Sequence, residues 1–116
     1  MYNQMVVHVE LSDEEVDRLF HALADATRRD IVRRTLTREA SVTALAAGYD
    51  MSFAAVQKHV ALLEEVGLVS KHRSGRERLV RANPDQIASA RELLTQLEEL
   101  WRARFSQLDQ VLAEKE

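Results

Sequence analysis

The chain has no cysteine, one proline and three glycines in 116 residues, and aromatic residues make up only 5% of it. Without cysteine there can be no disulfide framework, no thiolate nucleophile and no Cys-ligated metal. The three glycines stand apart from one another, which excludes the Gly-rich loop that cradles phosphates in nucleotide-binding enzymes. No apolar run approaches the ~18 residues of a membrane span. Residues 1–10 also lack the basic start and apolar centre of a signal peptide, so a cytoplasmic protein without membrane contact is expected. The length is that of one domain, here residues 1–116, with no room for a second sizeable core.

The charge balance is acidic, with 19 Asp and Glu against 16 Lys and Arg. Taken whole, a net charge of −3 argues against a polyanionic partner, but the charge is unevenly placed. Residues 1–24 carry −4, residues 25–82 carry +4 and residues 83–116 carry −3. Phosphate neutralisation is a local effect, so the basic middle segment matters more than the total.

That middle segment contains the most informative pattern. Ser52 is placed to cap a helix in which Val56, Val60, Leu63 and Val66 fall on one side, and Gly67 supplies its left-handed stop. The other side presents Phe53, Ala54, Gln57 and Lys58, small and hydrogen-bonding groups suited to base edges in a major groove. Upstream, Thr43 is expected to cap a short helix with Leu45 and Ala46, and Gly48-Tyr49-Asp50 forms the turn between the two. Two helices joined by a short Gly-containing turn, about residues 43–66, make a helix-turn-helix. Downstream, residues 68–73 and 77–81 read as strands around Ser74-Gly75-Arg76. Arg73, Arg76 and Arg78 cluster at that tip, so the hairpin, about residues 68–82, is expected to be a cationic wing that touches phosphates or the minor groove.

The rest of the chain reads as helix. Ser12-Asp13-Glu14-Glu15 fits a capping box ahead of a stripe of Val16, Leu19, Phe20 and Leu23. Asp25 is a cap for a second helix, with Ile31, Val32 and Leu36 apolar and Arg28, Arg29, Arg33 and Arg34 expected in solvent. Asn83-Pro84 starts a long C-terminal helix, about residues 84–113. In it Ile87, Leu94, Trp101 and Leu108 recur every seven residues beside a row of Ala90, Leu97 and Val111 that is broken at Arg104, and Phe105 widens the stripe. A two-row heptad pattern favours helix pairing, so Ile87, Leu94, Leu97, Trp101, Phe105 and Leu108 are the expected dimer interface. Met5 to Val9 is apolar but too short to classify, an arm against a partner subunit being one reading of it.

These residues resemble the ArsR/SmtB family of repressors. The resemblance rests on Ser52, His59-Val60, Leu63, Glu64-Glu65 and Val66-Gly67-Leu68-Val69, and on Ala22-Leu23-Ala24-Asp25-Ala26-Thr27-Arg28-Arg29 before them, and it covers roughly residues 12–113. It implies a mostly α fold with a small β-hairpin wing, a winged helix-turn-helix that is dimeric through its terminal helices. It also implies a repressor that binds a palindromic site in double-stranded DNA as a homodimer. Arg28, with Arg29 as the alternative, resembles a family residue that touches the DNA backbone, and His59 is a family position with a structural or phosphate-directed role. The expected DNA contacts are thus Arg28, Thr43, Ser52, Phe53, Ala54, Gln57, Lys58 and His59 in the helices, and Arg73, Arg76 and Arg78 in the wing.

The family is best known for metal sensing, and here the ligands are missing. The family's thiolate site lies in the first helix of the helix-turn-helix, where residues 43–50 hold no Cys. Its other common site pairs Asp with His on the C-terminal helices, where residues 83–116 hold no His. His8, His21, His59 and His72 lack ligand spacing. We therefore expect no metal and no cofactor, as in the family branch that carries Leu-Trp near the centre of its last helix, matched by Leu100-Trp101. The alternatives are a carboxylate site built from Glu92, Glu98, Glu99 and Asp109, or a winged helix used only for protein contacts. An enzyme is not expected: Ser52 and His59 share one side of a helix, but nothing marks a third catalytic member.

Overall fold

The computed structural model describes residues 11–114, so the Met5 to Val9 arm lies outside the described residues. In order, the elements are α1 (Asp13–Leu23), α2 (Ala26–Thr37), β1 (Ala40–Ser41), α3 (Val42–Ala46), α4 (Phe53–Glu65), β2 (Val69–Ser74), β3 (Glu77–Ala82) and α5 (Pro84–Glu114). The fold is mostly helical with one small antiparallel sheet, ordered β1-β3-β2.

Local chemistry explains where most elements begin and end. The α1 capping box is complete: Ser12 Oγ accepts from the Glu15 N–H at 3.1 Å, and Glu15 Oε1 accepts from the Ser12 N–H at 2.9 Å. Asp25 caps α2 by accepting from the Arg28 N–H at 2.9 Å, a bond that holds the Asp25 carboxyl below its ordinary pKa. Ser52 caps α4 through the Ala55 N–H at 3.1 Å. At its far end α4 closes in a Schellman motif: the Leu68 N–H returns to the Leu63 carbonyl, the Gly67 N–H returns to the Glu64 carbonyl, and Gly67 takes φ +80°. Pro84 opens α5, where its missing N–H is no loss, and Asn83 Oδ1 accepts from the Asp85 N–H at 3.1 Å.

Two sequence expectations about local structure need correction. The cap of α3 is Ser41, whose Oγ accepts from the Ala44 N–H at 3.1 Å, so Thr43 lies inside the helix with its side chain exposed. Ser41 also ends β1, a strand of two residues that pairs Ala40 with Val80 and Ser41 with Leu79. Such a short strand shows no alternation and leaves no pattern in the sequence. The α2 arginines were expected in solvent, yet Arg28 and Arg34 are half-buried and bonded to other elements, whereas Leu36 is half exposed.

The core draws one face from every helix. Leu19 and Ala22 of α1 meet Ile31 and Val32 of α2, Leu45 of α3, and Val56, Val60 and Leu63 of α4, closed from the sheet side by Leu68, Val69, Val80 and Ala82. Burying each large aliphatic side chain here contributes about 1.5–3 kcal/mol. Thr35, the one buried polar side chain among the described residues, is satisfied by donating to the Ile31 carbonyl at 2.7 Å. Only the first turns of α5 join this core, through Ala90 and a half-buried Ile87. No helix among the described residues is long and apolar enough to cross a membrane.

Candidate nucleic-acid interface

The two sides of α4 are cleanly divided. Val56, Val60 and Leu63 are fully buried, while Phe53, Ala54, Gln57 and Lys58 face solvent on the other side. Ser52 spends its acceptor on the cap and keeps its hydroxyl proton free to donate outward. Thr43 stands exposed on α3.

The turn between α3 and α4 is pinned to α2 from outside the helix pair. The Tyr49 hydroxyl donates to Asp30 Oδ2 at 2.6 Å, and the Arg34 guanidinium lies 5.2 Å from the centre of the Tyr49 ring. Arg34 Nη1 also donates to the Leu45 carbonyl at 3.3 Å. Gly48 is what lets that arginine in, because a Cβ there would sit 2.7 Å from Arg34 Nη1. Burial first, and the bond to Asp30 second, push the Tyr49 pKa up and keep its hydroxyl a donor. The attitude of the helix pair is thus set by side chains of α2.

The wing is a two-residue hairpin. Ser74 pairs with Glu77, leaving Gly75 and Arg76 as the loop, and Gly75 takes the φ of +64° that primed hairpin turns require. Arg73, Arg76 and Arg78 are all exposed, and Arg73 sits directly across the ladder from Arg78. Like charges opposed in this way destabilise a hairpin unless an anion screens them. Among the described residues no carboxylate lies within ion-pair distance of these three arginines or of Lys58. The other cations of the sheet are occupied: Lys71 meets Glu64 at 3.7 Å, and Arg81 meets Glu39 at 3.2 Å. His72 shares the same Glu39 carboxylate. This separation of free from occupied cations was not visible in the sequence, since Glu39 lies more than thirty residues from both of its partners.

Arg28 and His59 lie on the inner side of the interface. The Arg28 guanidinium donates to the Ala22 carbonyl at 2.7 Å, to the His21 carbonyl at 3.1 Å and to His59 Nδ1 at 3.2 Å. His59 Nδ1 is also 3.9 Å from Asp25 Oδ2. Ser52 and His59 are each engaged elsewhere, Ser52 Oγ with the Ala55 N–H and His59 Nδ1 with Arg28. No group of three or more His, Asp or Glu side chains among the described residues could hold a metal ion.

On α5 the expected seam stands open from Leu94 onward, with Leu94, Leu97, Trp101, Phe105 and Leu108 each at least half exposed. Trp101 and Phe105 meet edge to face, with ring centroids 5.1 Å apart. Ile87, expected in the same seam, packs in part against the domain's own core.

Known proteins share both the sequence and the shape. A family described as a helix-turn-helix domain matches residues 23–72, from the end of α1 into the wing. The HTH-type transcriptional regulator Rv2034 of Mycobacterium tuberculosis is 35% identical over 85 residues, 73% of this chain and 77% of that protein. The crystal structure of the ArsR family transcriptional regulator RHA00566 superposes with a TM-score of 0.73 at 31% identity, covering 81% of this chain and 97% of that one. An ArsR-like transcriptional regulator from Rhodococcus sp. RHA1 superposes with a TM-score of 0.76 at 28% identity, over 84% of this chain and 92% of that one. These relatives are transcription regulators, not enzymes. A winged helix-turn-helix with an exposed polar reading face, a wing tip of unpaired arginines and relatives of this kind identifies the chain as a member of the ArsR family of DNA-binding transcriptional regulators.

Proposed function

We propose that the protein is a homodimeric repressor that occupies a palindromic operator and needs no metal to do so. The observation that carries this reading is the wing tip, where Arg73 and Arg78 oppose each other with no carboxylate partner among the described residues, next to a recognition helix whose outer face carries Ala54, Gln57 and Lys58 beside Phe53. Such a tip costs the free protein stability, and a phosphate backbone removes that cost. Phe53, Ala54, Gln57 and Lys58 supply the base-edge contacts, Thr43 and Ser52 contact the backbone, and the wing arginines neutralise phosphates. The open row from Leu94 to Leu108 supports a second copy as its cover, because apolar surface of that extent is not left in water. A two-fold axis through that pairing presents two recognition helices to successive major grooves, ~34 Å apart.

Metal independence rests on donor chemistry. With no Cys in the chain, only carboxylates and scattered imidazoles remain, and these suit hard ions rather than soft ones. The test is operator binding across a salt series, with and without zinc, cadmium or arsenite. Each phosphate contact contributes ~0.9 to the log-log slope on duplex DNA, so a slope of several units that is indifferent to metal is expected. Salt-independent binding, no binding to any duplex, or release by stoichiometric metal would each contradict the corresponding part of the proposal.

A further inference from the structure

We propose that Arg28 is a positioning residue for DNA reading: through His59 it locks the recognition helix α4 to α1, and so fixes the attitude in which each subunit offers its reading face. This rests on the DNA-binding dimer proposed above. It also moves Arg28 from the expected backbone contact to a clamp behind the interface, and takes the structural of the two roles expected for His59.

The geometry is specific to a guanidinium. One planar group places Nε on the Ala22 carbonyl, Nη2 on the His21 carbonyl and Nη1 on His59 Nδ1, at 2.7, 3.1 and 3.2 Å. The two carbonyls belong to the last turn of α1, where the helix dipole favours a cation; the His21 carbonyl also accepts from the Ala24 N–H at 3.1 Å. The backbone N–H of Arg28 is itself held by the Asp25 cap of α2. Three helices therefore converge on one side chain: α1 through its C-terminal carbonyls, α2 through the arginine's own backbone, and α4 through the imidazole. A lysine at this position offers a single point of charge and cannot span acceptors on two other helices. Because Nη1 donates to Nδ1, that nitrogen is the acceptor of a neutral imidazole, and His59 carries its proton on Nε2.

The mechanical consequence is large compared with a hydrogen bond. A helix of 13 residues is ~20 Å long, so a tilt of about 10° moves its far end by about 3 Å. Base-edge contacts do not survive such a shift, whereas phosphate contacts made by a mobile wing do. Loss of the clamp should thus lower affinity for the operator and spare affinity for unrelated duplex.

The experiment first selects an operator from a random duplex pool with the unaltered protein. Binding to that operator and to a random duplex is then compared across a salt series for Arg28→Lys, Arg28→Ala, His59→Leu and His59→Asn, with helix content checked by circular dichroism. Arg28→Lys and His59→Leu are expected to lose operator affinity about tenfold or more, the value of one charge-assisted hydrogen bond, and to bind random duplex within about twofold of the unaltered protein at the same salt slope. His59→Asn keeps an acceptor at the position of Nδ1 and should recover most of the loss. The Arg28→Lys, His59→Leu double variant should be no worse than either single one. The proposal is overturned if Arg28→Lys keeps full operator affinity. It is equally overturned if Arg28→Ala weakens all duplexes by one factor while the salt slope falls by ~0.9 per subunit, the signature of a lost phosphate contact. If Arg28→Ala fails to fold, Arg28→Lys and His59→Leu decide the matter. An unaltered protein that selects no sequence would instead overturn the DNA-binding reading beneath it.

Discussion

The segment from Ser41 to Ala82 and the helix from Arg91 to Glu114 are built on opposite plans. In the first, the large apolar side chains turn inward and Phe53 alone is left exposed, while unpaired arginines crowd the hairpin tip. In the second, the apolar side chains point outward: of ten large apolar side chains exposed among the described residues, eight lie on α5. The first segment has its apolar side covered by the shared core and is short of an anion; the second is short of apolar cover. Two different deficits on one small chain point to two different partners, a polyanion for the wing and a second copy for α5. They also predict that the two regions fail in different ways.

The largest effect is expected on the C-terminal side. Leu97→Glu places a carboxylate in the proposed seam, where burial without a partner is costly. Sedimentation should show a monomer that keeps its helix content and loses measurable operator binding, because each half-site alone is too weak. A tight-binding dimer would remove α5 from the assembly. On the other side, the combined Arg73→Ala, Arg76→Ala, Arg78→Ala variant should remain dimeric and lose affinity for every duplex, with a salt slope reduced by ~0.9 for each phosphate contact removed. The same variant should melt at a higher temperature, because it removes a like-charge pair set directly across the ladder, so binding and stability move in opposite directions. Equal loss of both would mean that the arginines stabilise the fold and do not await a ligand.

Smaller effects sharpen the contrast within the reading region. Gln57→Ala should relax preference at one position of each half-site by ~1–3 kcal/mol without changing affinity for random duplex, measured on a panel of single-base operator variants. Uniform weakening across the panel would place Gln57 on the backbone. The smallest effect concerns Asp25, whose carboxyl is held below its ordinary pKa chiefly by the Arg28 N–H, with the Arg28 charge adding to it. A depressed carboxylate contributes stability that is fully present above its unfolded pKa of ~3.9 and is lost as pH falls through the lower folded value. Asp25→Asn retains a capping side chain, so it should change stability near neutral pH by only tenths of a kcal/mol and flatten the acid limb of the stability profile. An unchanged acid limb would show that this cap does not titrate with unfolding.

The sequence makes the local rules legible and hides the long-range ones. The capping box at Ser12, the caps at Asp25 and Ser52, the stop at Gly67 and the start at Pro84 all follow from chemistry within a few residues, and each stands where its pattern placed it. So does the division of α4 into a buried and an exposed side. Thr43 and Ser41, two residues apart, offer the same capping chemistry, and it is Ser41, held in β1 by its pairing with Leu79, that caps the helix. The inward turn of Arg28 and Arg34 was invisible for a different reason. A charged residue on a helix surface is usually solvated, and nothing local distinguishes one whose acceptors lie on other elements, such as His59 and the Leu45 carbonyl. The free wing arginines were visible as charge. That they are free, while Arg81 is occupied, depends on a carboxylate distant in the chain, Glu39.

One measurement bears on both regions together: the sequences that the purified protein enriches from a random duplex pool, with the stoichiometry of the resulting complex. A reading head on each subunit and a two-fold seam on α5 require an inverted repeat, with half-site centres about 10–10.5 base pairs apart, bound by two chains. A single asymmetric half-site bound by one chain, or no enrichment at all, would contradict the division of labour between the wing-bearing region and the C-terminal helix.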